Sequence, residues 1–202
     1  QNMGISPDQI QVLSPTRKGT AGTAALNRAL QEAVNPPAPD KQEKSFGTVL
    51  FREGDRVMQV KNNYDVLWRS QDGLKGGMGV FNGDVGVITD MTPEGEITTV
   101  NFDGHIVEYT PDMLGELESA YAMTVHKSQG SEYRAVILAA VNGAPMLLTR
   151  GVLYTAITRA KELLIIVGDE AVVERMTAND RQTRRYSGIR YLLSSQAPAV
   201  HI

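Results

Sequence analysis

Two uninterrupted apolar runs, residues 135–141 (Ala-Val-Ile-Leu-Ala-Ala-Val) and 163–167 (Leu-Leu-Ile-Ile-Val), constrain the fold of this chain more than any other feature. Neither alternates as a strand wet on one face would, and both fall far short of the roughly 20 residues that cross a bilayer. They predict strands buried on both faces, which need covering layers on both sides. Residues 10–14 add a shorter strand, and apolar Ala25, Leu26, Ala29, Leu30, Ala33 and Val34 recur at helical spacing until Asn35-Pro36-Pro37 ends the helix. Tyr121, Met123 and Val125 alternate in a further strand. Strands separated by helices predict an α/β fold with a largely parallel sheet and helices on both faces, whose ligands bind at strand ends.

The polar content of one such end is concentrated. Thr124-Val125-His126-Lys127-Ser128-Gln129-Gly130-Ser131-Glu132 breaks the apolar alternation with hydroxyls, a ring donor, an ammonium and a glycine. Thr124, Ser128, His126 and Lys127 suit phosphate, and Gly130 lets backbone N–H groups approach an anion. Glu132 suits a sugar hydroxyl instead, a donor seeking a charged acceptor. The pairing points to a nucleotide or a nucleic-acid strand; a solvated strand-to-helix turn capped by Ser131 is the other reading.

A second polar segment follows. Leu153-Tyr154-Thr155-Ala156-Ile157-Thr158-Arg159-Ala160 is a helical stretch ending in an arginine before the strand at 163–167. Together the two segments, in this order and spacing, resemble the last two helicase motifs of superfamily-one DNA helicases of the RecD-like branch. The early segment Leu13-Ser14-Pro15-Thr16-Arg17-Lys18-Gly19, with Leu26-Asn27-Arg28-Ala29-Leu30-Gln31 after it, is similar to that branch's fourth motif. Strand, basic glycine-bearing loop and helix is in itself an arrangement that binds anions.

The resemblance implies a second RecA-like motor domain, discontinuous over 1–64 and 119–202. It further implies ATP with Mg²⁺ as the nucleotide of the whole enzyme, in a cleft between this domain and an N-terminal RecA-like domain. Arg159 would be the arginine finger, Lys18 or secondarily Arg17 would assist on the terminal phosphate, and Glu132 would hold the ribose beside Gly130. Arg159 and Lys161 complementing a helix C-terminus is the plainer alternative. The sequence contains no Gly-x-x-x-x-Gly-Lys-Ser/Thr loop, so this stretch is expected to hydrolyse no ATP alone. The resemblance also implies movement along single-stranded DNA in the five-prime to three-prime direction and leaves recombination-complex subunits as further candidate partners. A non-catalytic binding module and the helicase part of a conjugative relaxase are the competing readings.

Between the motifs, Lys61-Asn62-Asn63-Tyr64 follows a predicted strand and offers amides and a ring for single-stranded DNA; an Asx turn would use the same amides. Thr124, His126, Lys127, Asn62, Asn63 and Tyr64 are therefore the expected strand contacts. Residues 36–45 read as a surface connection and 65–79 as a glycine-broken loop, with Trp68 either a lid on a small core or a stacking surface. Three alternating strands follow from 85 to 109, the last two joined by Asp103-Gly104, the strongest short hairpin signal. With the preceding loop they form a unit at 65–118 that resembles the SH3-like barrel inserted in RecD-like helicases; as a bare barrel it could equally dock a protein.

Composition bounds the rest. With 202 residues, 42% hydrophobic, the chain can build one or two real cores. A net charge of −3 rules out a uniformly basic coat, so any strand binding is confined to a groove. There is no cysteine and only three scattered histidines, so no metal site is expected. No apolar leader opens the chain and no membrane contact is expected; cytoplasmic is the default. The basic tail at 181–186 reads as a solvated face or a strand contact.

Overall fold

The structure, a computed structural model, describes residues 4–180, so the basic tail lies outside it. A four-stranded parallel sheet is formed by β1 (Ile10–Ser14), β11 (Ala122–Thr124), β12 (Tyr133–Ala140) and β13 (Ala160–Gly168) in the order β11-β1-β12-β13. The crossover carrying α1 (Thr23–Val34) runs outward to β11; the one carrying α2 (Arg150–Ile157) runs the other way, to β13. Right-handed connections in opposite directions place the helices on opposite faces. α3 (Glu170–Ala178) packs beside α2, with Val172 and Met176 fully buried.

Between α1 and β11 the chain builds a seven-stranded antiparallel sheet of β4 (Arg56–Gln59), β5 (Asn63–Ser70), β6 (Gly76–Val80), β7 (Val85–Met91), β8 (Thr98–Phe102), β9 (His105–Tyr109) and β10 (Leu117–Ser119). Its order is β10-β4-β7-β8-β9-β5-β6, and a small hairpin of β2 (Glu43–Phe46) and β3 (Val49–Arg52) adjoins it. Phe51, Val57, Ile88, Val100, Phe102, Val107 and Tyr109 make one core under this sheet. The Asp-Gly hairpin forms as its sequence dictates: Phe102 pairs with His105, and Asp103 and Gly104 take φ of 49° and 89°.

Two sheets share one seam. β4 pairs with β7 and β10 in the antiparallel sheet, yet Met58 joins the core of the parallel sheet with Leu13, Met123 and Leu138. Beneath that seam lies Asp55, fully buried and accepting hydrogen bonds from Gln31 Nε2 (2.5 Å), Asn35 Nδ2 (2.7 Å), the Arg52 backbone N–H (2.8 Å) and the Tyr121 hydroxyl (2.9 Å). One carboxylate thus ties α1, the β3–β4 turn and the entry to β11.

Four expectations are corrected. Residues 65–79 are not loop but the β5–β6 hairpin; a Cβ on Gly77 would sit 2.5 Å from the Trp68 ring, so glycine here makes room for that ring as a lid on the core. Residues 43–46, read within a surface connection, form β2. Among the described residues β13 is an edge strand, and Ile165, Ile166 and Val167 are exposed where covering on both faces was expected. The apolar stripe of α1 is covered only in part: Ala25, Leu26 and Leu30 are half-buried and Ala29, Ala33 and Val34 exposed, while Asn27, Gln31 and Asn35, four residues apart, face the seam. Asn27 donates to the carbonyls of Ser119 and Ala122 and accepts from the Ala122 N–H, so this amide stripe satisfies backbone groups that no apolar side chain could.

Candidate nucleotide and nucleic-acid site

Because all strands of the first sheet run parallel, every loop that follows a strand lies at one edge and every residue that precedes one lies at the other. This divides the expected site residues into two groups.

The leading edge carries Glu132 and Arg159. Arg159 ends the turn after α2, and its carbonyl accepts from the Tyr133 N–H (2.8 Å), fixing it beside the start of β12. Its guanidinium donates to Thr155 O (3.2 Å), Ser131 O (2.9 Å) and Thr158 Oγ1 (3.2 Å). Glu132 pairs with Lys161 at 3.1 Å, both side chains more than half exposed. An exposed pair of this kind is worth about 0–1 kcal/mol, so Glu132 is released at little cost. The present acceptors are uncharged oxygens, whereas a phosphate adds charge attraction and bidentate geometry to the same donors, so an anion can draw Arg159 from them. Gly130, at φ 90° with open space beside it, supplies the turn between the groups.

The trailing edge carries Arg17, Lys18, Thr124, His126 and Lys127. Ser14 pairs with Thr124, so the loops after β1 and β11 leave side by side. Arg17 and Lys127 converge on Glu118 of β10, at 3.0 Å and 2.8 Å, on separate carboxylate oxygens. Burial pushes the Glu118 carboxyl up, but Lys127 and Arg17 outweigh it and hold the group below its ordinary range. Lys18 and His126 are exposed. Thr124 caps its own turn, accepting from the Lys127 N–H on both its carbonyl (3.0 Å) and hydroxyl (3.4 Å).

The fold therefore brings Glu132 and Arg159 together and Arg17, Lys18 and Lys127 together, but not the two groups with each other. Ile10 pairs with Ala135, so Tyr133 lies two residues before the start of β1 and Ser14 four after it, a span of about 20 Å at ~3.3 Å per residue. At that backbone separation the structure does not place Lys18 or Arg17 beside Arg159, where a shared terminal phosphate was expected. Two further readings change. The first N–H groups of α1 are already taken, Thr23 by Thr16 O (3.0 Å) and Ala24 by Arg17 O (3.3 Å), so that helix end is closed to an anion. Ser128 is buried and donates to Val125 O (2.8 Å), and no helix follows Ser131.

At the strand exit before β5, Asn63 Oδ1 accepts from the N–H groups of Asp65 (3.2 Å) and Val66 (3.1 Å), the Asx-turn geometry, and its amide donates to Glu116 (3.1 Å). Asn62 links the Tyr64 hydroxyl (3.2 Å) to the Asn82 N–H (2.9 Å). Both amides are engaged within the protein, leaving Tyr64, 63% exposed, as the group with a free face. Its ring meets Phe81 edge-on at 5.7 Å, a neighbour the sequence reading missed because the β5–β6 hairpin, read there as loop, brings the two together. Among the described residues no group of three or more His, Cys, Asp or Glu could hold a metal ion, and no helix is long and apolar enough to cross a membrane.

Residues 26–102 match the ATP-dependent RecD-like DNA helicase SH3 domain, and residues 119–167 match the UvrD-like helicase C-terminal domain. The chain is 35% identical over 179 residues to the ATP-dependent RecD2 DNA helicase of Deinococcus radiodurans, covering 88% of this chain and 22% of that protein. It is 40% identical over 193 residues to the RecBCD enzyme subunit RecD of Mycobacterium tuberculosis, covering 93% and 29%. The chain thus spans about a quarter of the length of these relatives. Among solved structures it resembles two coordinating Pif1 helicases at forked dsDNA (TM-score 0.51, 19% identity, 85% of this chain and 44% of that one). It also resembles the Bacteroides Pif1 helicase in complex with ADP-AlF3 and ssDNA (TM-score 0.50, 20% identity, 93% and 46%). At such identities the likeness is one of fold alone. Two domain types in the RecD-like order, with both polar motifs in place, show that the chain belongs to the RecD-like superfamily-one DNA helicases, as part of their C-terminal region.

Proposed function

We propose that this stretch is the second motor domain of an ATP-dependent DNA helicase, discontinuous around its SH3-like insert, and that its two sheet edges divide the work. The leading edge serves the nucleotide: Arg159 swings from the carbonyls of Thr155 and Ser131 to the γ-phosphate, and Glu132 leaves Lys161 for a ribose hydroxyl. The supporting observation is that the Arg159 guanidinium rests on the very loop that carries Glu132, through Ser131 O at 2.9 Å. The phosphate-binding loop and Mg²⁺ ligands would come from an N-terminal RecA-like domain, since the described residues here offer no ligand set. This stretch alone would hydrolyse no ATP.

The trailing edge, with Thr124, His126, Lys127, Arg17 and Lys18, together with Tyr64, would grip single-stranded DNA. Hydrolysis would open and close the cleft and move the domain along the strand, with five-prime to three-prime as the proposed direction. Subunits of a recombination complex are further proposed partners.

Steady-state ATPase of the full-length protein tests the nucleotide edge. Glu132→Ala is expected to raise KM for ATP about 10–100-fold, the loss of one charge-assisted hydrogen bond, with kcat within a few-fold. An unchanged KM would remove Glu132 from the nucleotide.

A further inference from the structure

Glu118 occupies an unusual place. It lies on β10, a strand of the antiparallel sheet, yet its two oxygens are each held by a cation from a different loop of the parallel sheet, Arg17 after β1 and Lys127 after β11. The arrangement of two cations, one anionic group and one oxygen for each is what a phosphodiester with its two free oxygens would satisfy. The pair is open on the Arg17 side, where the side chain is 65% exposed, and more covered on the Lys127 side, at 28%, with Glu118 between them at 37%. Arg17 and Glu118 line a groove together with Asn27, Arg28 and Thr48, and Lys127 reaches Glu118 from outside that lining.

We infer that Arg17 and Lys127 form a paired-cation site for one phosphate of a single strand, and that Glu118 is its built-in competitor, holding the cations when no strand is bound. The inference rests on the DNA-gripping role proposed above. The exposed Arg17–Glu118 pair is weak and screened, and a polyanion that takes over the two cations also releases counterions. The strand therefore displaces Glu118 instead of being excluded by it. Because Glu118 is only four residues from Ala122, the first residue of β11, through Ser119, Ala120 and Tyr121, any shift of the antiparallel sheet against the parallel one moves the carboxylate relative to its two cations. The insert would thereby tune the grip of the motor on its track.

The test is fluorescence anisotropy of labelled oligo-dT with the full-length protein over a salt series. Glu118→Gln is expected to tighten binding about 3–10-fold at low salt, and to steepen the dependence of log K on log salt by roughly 0.7 or more. Arg17→Ala placed in the Glu118→Gln protein should cancel both gains. Glu118→Asp, one methylene shorter and unable to span both cations, should shift affinity in the same direction by less, and serves if the glutamine variant folds poorly. Unchanged or weakened binding by both Glu118 variants, beside a wild-type protein that binds with a clear salt slope, would overturn the competitor role alone. A wild-type protein that does not bind oligo-dT would overturn the DNA reading itself, and the phosphate site with it.

Discussion

Replacing Arg159 with alanine in the full-length protein is expected to lower kcat for DNA-stimulated ATP hydrolysis by about 10³–10⁵-fold, the effect of withdrawing a cation from the transferring phosphoryl group. In the structure, all three hydrogen-bonding positions used by this guanidinium face carbonyl and hydroxyl oxygens, of Thr155 in α2, Thr158 in the turn after it and Ser131. Those contacts hold the arginine ready at the sheet edge without neutralising it, since none of the three acceptors is a carboxylate. A purely structural arginine capping the end of α2 would behave differently on removal. It would cost about 1–3 kcal/mol of stability through unsatisfied carbonyls and change turnover only in proportion to the folded fraction. Thermal melting alongside kinetics separates the two: large loss of kcat with a melting temperature within a few degrees supports the finger, and a fall in kcat below about tenfold contradicts it.

Asp55→Ala is expected to produce the largest loss of stability in the chain. The fully buried carboxylate accepts from Gln31, Asn35, Tyr121 and the Arg52 backbone, and alanine would leave these donors stranded in a dry seam. Breaking a buried charged network of this kind costs about 3–5 kcal/mol. At roughly 2–4 °C per kcal/mol for a chain of this size, melting should fall by about 6–20 °C. Burial and the adjacent Asp55 carboxylate push the Tyr121 hydroxyl well above its ordinary pKa, so it stays a donor to Asp55 at neutral pH. The seam joins the two sheets, so the variant should also lose cooperativity, the antiparallel and parallel sheets melting separately. A melting temperature within about 2 °C of the wild type would contradict the assignment of Asp55 as the tie.

Much of this was legible in the sequence, and the parts that were not share a cause. The strand at 133–140, the helix at 150–157 and the Asp103-Gly104 hairpin carry local signals strong enough to fix them: continuous apolar runs, helical spacing and a dipeptide suited to positive φ. The amide stripe of α1 carried no such signal. Asn27, Gln31 and Asn35 look like a solvent face until their acceptors, the carbonyls of Ser119 and Leu50 and the Asp55 carboxylate, are in place. The β5–β6 hairpin was hidden because Gly76, Gly77 and Gly79 argue against a strand, and only the fold shows what they accommodate: the Trp68 ring at Gly77 and a φ of 98° beside the Phe81 ring at Gly79. Which loops share an edge was likewise not contained in the order of the motifs. It follows from every strand of the sheet running the same way, which sends the loop after β1 to the end opposite Arg159.

That separation is the central claim, and Lys18 tests it most directly, because it is exposed at the trailing edge and belonged by resemblance to the nucleotide. The measurement is ATPase of full-length Lys18→Ala at saturating single-stranded DNA, paired with the salt dependence of DNA binding. The account predicts a salt slope reduced by about 0.7, with kcat at saturation within about threefold of wild type. A kcat lowered by a hundredfold or more at saturating DNA, with the slope unchanged, would put Lys18 on the nucleotide and contradict the division of the two edges.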